Sequence, residues 1–75
     1  MFEKLKELIC SYVEVSPDEI TESSRFSEDL GFNSYDFVSM LGDAEDEFDI
    51  QIDESVATSK KTAGELVAYF EEISA

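Results

Sequence analysis

The chain has no histidine and no tryptophan, one cysteine, one proline and three glycines. Five lysines and arginines face nineteen aspartates and glutamates, a net charge of −14 at pH 7. Each shortage closes a class of function. Without histidine there is no His-dependent nucleophilic triad and no imidazole to serve as general base or metal ligand. A lone thiol, Cys10, permits no internal disulfide and no cysteine-rich zinc or iron–sulfur site. So few cations leave the chain repelled by nucleic-acid phosphates and anionic membranes, which excludes direct DNA or RNA binding. No apolar run approaches a bilayer span, and Met1-Phe2-Glu3-Lys4-Leu5-Lys6-Glu7 lacks the unbroken apolar stretch of a signal peptide. A reducing, cytoplasmic setting without membrane insertion fits best, and mutual repulsion favours a monomer.

What is present suffices for one core. Apolar residues make up 43% of the 75 residues, with six Phe and three Tyr, so residues 1–75 read as a single small domain. Residues 2–13 carry Phe2, Leu5, Leu8, Ile9 and Tyr12 at three- and four-residue spacing, the pattern of an amphipathic helix. Ser16-Pro17-Asp18-Glu19 stops it, with Ser16 placed to cap and Pro17 at a first helical position. A long connection follows to Asn33. Ile20, Phe26, Leu30 and Phe32 punctuate its polar background, so it reads as packed rather than as a linker.

Asn33 or Ser34 caps a second helix, from about Ser34 to Phe48, with Phe37, Val38, Met40, Leu41, Ala44 and Phe48 as its apolar stripe. Phe48-Asp49-Ile50-Gln51-Ile52 alternates like a strand but has no partner strand, which predicts an extended strap over the core. Residues 53–60 have room for one or two helical turns capped by Asp53. Thr62-Ala63-Gly64-Glu65 is a capping-box pattern opening a last helix, whose inner face is Ala63, Leu66, Val67, Phe70 and Ile73. Gly64 counts as a mild liability there. The expected fold is all-α: three main helices, a short helix in third position, and a long first loop.

The strongest local signal is Asp29-Leu30-Gly31-Phe32-Asn33-Ser34-Tyr35-Asp36. A serine after a glycine-containing turn, at a helix N-terminus, sets its hydroxyl beside unsatisfied backbone N–H groups that favour a phosphate on that oxygen. A plain helix cap is the competing reading of Ser34. Asp43, Glu45, Asp46, Glu47 and Asp49 crowd the C-terminal half of the helix, where the dipole disfavours them. No Lys or Arg occurs between Arg25 and Lys60. The acids either form a solvated face or dock basic partners. They do not make a calcium loop, because Asp43-Ala44-Glu45-Asp46-Glu47 continues with Phe48 where an EF-hand needs glycine. Cys10, with only Lys4 and Lys6 near it in sequence, reads as incidental.

The Ser34 segment resembles the attachment site of acyl carrier proteins, whose pattern is Asp-Leu-Gly, one variable residue, then Asp-Ser-Leu. The likeness continues through Asp36, Val38 and Leu41, the acids Glu45-Asp46-Glu47, Ile50 and Ile52, and the closing Thr62-to-Phe70 helix, so it covers essentially the whole chain. It implies that Ser34 carries 4′-phosphopantetheine, transferred from coenzyme A, with acyl groups held as thioesters on the terminal thiol of the arm. It further implies a stand-alone carrier for fatty-acid or specialised acyl synthesis, without enzymatic activity of its own. Its partners would be a phosphopantetheinyl transferase and acyl-transferring and synthase enzymes with basic docking patches. The docking positions carried over are Asp36, Ser39, Glu45 and Asp46, with Asn33 and Tyr35 flanking Ser34 and Asp29 at the rim. Asn33 stands where the family has Asp, Tyr35 where it has Leu, and Gly42 where a larger apolar residue is common. A peptidyl or aminoacyl carrier, including a D-alanyl carrier, is the nearest alternative. An unmodified acidic interaction module is the alternative of another class.

Overall fold

The computed structural model describes residues 1–74. Four helices form: α1, Phe2–Cys10; α2, Ser34–Phe48; α3, Glu54–Ala57; and α4, Ala63–Ser74. Among the described residues there is no strand, only a single antiparallel bridge between Arg25 and Thr62. The helical bundle with a short third helix is the expected one.

α1 ends three residues short of the predicted 2–13 span. Ser11 stops it: the Ser11 hydroxyl donates to the Leu8 carbonyl at 2.6 Å, and Tyr12 N–H reaches back only to Ile9 O, at 3.0 Å. A serine side chain bonding its own backbone competes with the helical ladder, and the tightened turn ends it. Leu5 and Ile9 are fully buried, and Tyr12 Oη donates to the Asp43 carboxylate on α2.

The long connection is packed, as its apolar residues require. Ser16 and Glu19 form a capping box around the 3-10 turn Pro17–Glu19. Ile20, Phe26, Leu30 and Phe32 are all buried. Three backbone hydrogen bonds stitch the connection to the entry and first turn of α4: Phe26 N–H to Lys61 O at 3.0 Å, Ala63 N–H to Ser24 O at 3.0 Å, and Gly64 N–H to Glu22 O at 2.8 Å. Gly64 is therefore a requirement rather than a liability. A Cβ there would lie 2.8 Å from the Glu22 carbonyl oxygen, closer than packed atoms approach.

α4 opens with the predicted box: Thr62 Oγ1 accepts from Glu65 N–H at 3.2 Å, and Glu65 Oε1 accepts from Thr62 N–H at 3.1 Å. Ala63, Leu66, Val67 and Phe70 line the core, but Ile73 is exposed on the last turn, beyond the reach of the bundle. In α2 the inner face narrows to Phe37, Met40, Leu41 and Ala44, with Phe48 half-buried and Val38 turned to the surface. α2 closes on Asp49 in the left-handed region, and the following segment forms the expected strap, with Ile50 and Ile52 half-buried against the core. Asp53 caps α3 through its carboxylate, as predicted.

Candidate functional site

The start of α2 shows which residue is the cap. Asn33 is the cap: its Oδ1 accepts the Asp36 N–H at 2.7 Å and its carbonyl accepts the Phe37 N–H at 3.0 Å. Ser34 is thus the first helical residue, exposed, and its hydroxyl has no hydrogen-bond partner among the described residues. Gly31, at φ +76°, makes the turn that brings the chain into this cap. The substitution of Asn for the family's Asp keeps an acceptor oxygen in the capping position and removes only its charge.

Beside Ser34 lies a cleft of about 580 Å³, a size typical of small-molecule sites. Its floor is aromatic. Phe26 meets Phe37 with ring centroids 5.0 Å apart, and Phe32 at 5.6 Å, both edge-on. Its far wall comes from the segment between α3 and α4, including Thr58, Lys60 and Lys61. Val38 separates it from a second, smaller cleft of about 270 Å³ next to Gly42, Glu45 and Ile52. Tyr35 is 79% exposed and takes no part in either wall.

The acids around the site divide into engaged and free. Asp29 accepts from the Arg25 backbone N–H at 2.8 Å and from its guanidinium at 3.2 Å, and these bonds hold its carboxyl below the usual carboxylate range. Glu45, half-buried, accepts the Ile52 N–H at 2.8 Å and so fastens the strap to α2. Asp43 receives Tyr12 Oη, and Glu47 pairs with Lys4 at 3.2 Å. Asp36, Ser39 and Asp46 form no side-chain hydrogen bond or ion pair among the described residues, and they share the outer face of α2 with Tyr35. Of the predicted docking positions, Asp36, Ser39 and Asp46 are available as they stand, while Asp29 and Glu45 also hold local structure. No group of three or more acidic or Cys side chains among the described residues is arranged to hold a metal ion.

Comparison with known proteins agrees with this geometry. The family model for the phosphopantetheine attachment site matches residues 3–70. An acyl carrier protein of Sulfurovum sp. is 37% identical over 73 residues, covering 97% of each chain. One from Clostridium perfringens is 42% identical over 72 residues, covering 96% of this chain and 95% of its own. A third, from Wolinella succinogenes, is 37% identical over 71 residues, covering 95% of this chain and 93% of its own.

The chain belongs to the acyl carrier protein family. It is a carrier and not an enzyme, and its prosthetic group is covalent 4′-phosphopantetheine, whose terminal thiol holds acyl groups as thioesters. The residues present suit that group. A partnerless serine hydroxyl opens α2 at its positive end, where a phosphate is favoured, and an aromatic-floored cleft of adequate volume adjoins it. The chain has no histidine to act as general base on the Ser34 hydroxyl. Sequence reasoning missed the far wall of the cleft. Thr58, Lys60 and Lys61 join Ser34 around one cleft because the connection pairs with the segment around Thr62, a long-range pairing that no local pattern announces.

Proposed function

We propose that Ser34 is the attachment residue, and that Asp36, Ser39 and Asp46, flanked by Asn33 and Tyr35, form the face that partner enzymes dock on. Glu45 and Asp29 border that face. The observation that carries this reading is the Ser34 hydroxyl itself. Its neighbour performs the capping, so a role as cap does not account for it. In the transfer, Ser34 Oγ bonds to the phosphorus nearer the pantetheine in coenzyme A. The pyrophosphate P–O bond breaks, adenosine bisphosphate leaves, and a base on the transferase takes the serine proton. Fatty-acid or specialised acyl synthesis in the cytoplasm is the setting, with synthases and acyltransferases bearing basic patches as partners. Long-range attraction to the acidic helix speeds their encounter. The carrier acts as a monomer.

The test is to incubate the apo chain with coenzyme A and a phosphopantetheinyl transferase and to record the intact mass. The expected result is a gain of one phosphopantetheine, absent in Ser34→Ala, whose circular dichroism stays that of the parent. An unchanged mass with several transferases would overturn the assignment. So would a gain that persists in Ser34→Ala.

A further inference from the structure

The five cations of this chain are not equivalent. Lys4 and Lys6 pair with Glu47 and Glu3, and Arg25 is held by Glu28 at 2.7 Å and Asp29 at 3.2 Å. Lys60 and Lys61 form no ion pair among the described residues. Acids outnumber cations almost fourfold, so a lysine outside ion-pair distance of every described carboxylate is the unexpected case; Glu65 is the acid that the Lys60 charge acts on at longer range. Both of these lysines line the cleft that contains Ser34.

We propose that Lys60 and Lys61 receive the phosphodiester of the arm and draw the arm across the cleft towards Thr58, instead of leaving it free in solvent. The proposal rests on Ser34 being the attachment residue. Covalent attachment at Ser34 puts the phosphodiester at the edge of the cleft, so the lysines meet it at an effective concentration far above that of any free anion. On the α2 side of Ser34 Asp36 repels the group, while Arg25, which also lines the cleft, offsets one of the two charges of Glu28 and Asp29.

Lys61 is well placed for this role. Its backbone is fixed on both sides, by N–H donation to Glu65 Oε1 at 3.0 Å and by its carbonyl accepting from Phe26 N–H at 3.0 Å. The side chain therefore extends from a rigid point, which lowers the entropy lost when it binds. Lys60 Nζ lies 5.9 Å from the Tyr69 ring centroid, at the outer limit of a cation–π contact, and an anion of full charge competes well with it. The aromatic floor of the cleft suits the dimethyl and methylene groups that follow the phosphate in the arm.

The experiment compares amide NMR spectra of the isotope-labelled apo and holo chains, with loading verified by intact mass. Melting curves of both forms are taken at low salt. The expected result is shifted resonances at residues 58–61 as well as at 33–37, nuclear Overhauser contacts from the pantetheine methyls to Thr58 or Val38, and a holo form melting a few degrees above the apo form. In Lys60→Gln/Lys61→Gln the shifts at 58–61 and the melting gain disappear, while Lys60→Arg/Lys61→Arg retains both. Holo shifts confined to residues 33–37, or 58–61 shifts that survive in the glutamine pair, would overturn the proposal and leave Ser34 as the attachment residue. A chain that gains no mass overturns both.

Discussion

Two glycines show how differently the same residue is used. Gly42 lies inside α2, and a Cβ built there meets nothing within 4 Å. Replacing it by alanine removes an entropic cost of helix formation of about 1 kcal/mol. Gly42→Ala should therefore raise the urea midpoint of unfolding by about that amount of stability. Gly64 occupies the first turn of α4 with the Glu22 carbonyl 2.8 Å from its missing Cβ. There alanine must push apart two backbone segments joined by a hydrogen bond, and overpacking of this kind costs about 1–3 kcal/mol. Gly64→Ala should lower the midpoint, and equal effects at the two sites would contradict this account. Both glycines look alike from sequence, since propensity sees only the helix and not what packs across from it. Lys60 and Lys61 were hidden for the same reason. The place of Ser34 at the start of α2, by contrast, was legible because its turn, cap and helix are all local.

At the level of elements, the caps were readable and the terminations less so. Asp53 and the Thr62–Glu65 box act within three residues of their targets, and both form as the sequence predicts. The end of α1 did not follow periodicity, because Ser11 and the pull of Tyr12 towards Asp43 override it. That hydrogen bond joins the turn after α1 to the middle of α2. It raises the Tyr12 phenol to about 12, mainly because the hydroxyl donates to the Asp43 carboxylate. The native state thus holds this proton more tightly than the unfolded chain, whose tyrosines ionise near 10. The stabilisation is complete below about pH 10 and is lost as the pH rises through about 12. Relative to Tyr12→Phe, the parent should be more stable at pH 8, and its advantage should shrink between pH 10 and 12. Thermal melts of the two proteins across that range measure the difference, and Tyr35 and Tyr69 cancel because both chains contain them. A constant gap between parent and variant would show that the hydrogen bond contributes nothing.

For the whole molecule, fourteen uncompensated negative charges sit on a body with a radius of gyration of 11.0 Å and a longest extent of 29 Å. At 0.01 M salt the screening length is about 30 Å, so every acid repels every other across the molecule; at 0.15 M it is about 8 Å, and only neighbours interact. Salt also weakens the attractive pairs, but the five N–O contacts are at the surface, where such pairs contribute about 0–1 kcal/mol each. Repulsion released on screening exceeds attraction lost, because most acids have no cation partner at all. The melting temperature of the apo chain should therefore climb with sodium chloride, most steeply between about 0.01 and 0.15 M, where the screening length falls below the size of the molecule. Millimolar magnesium or calcium should produce the same rise at lower ionic strength by gathering near Asp43, Asp46, Glu47 and Asp49, without a built site being required. A melting temperature indifferent to both salts would mean that the acidic face costs the fold nothing. The charge on α2 would then need no offsetting benefit from partner docking.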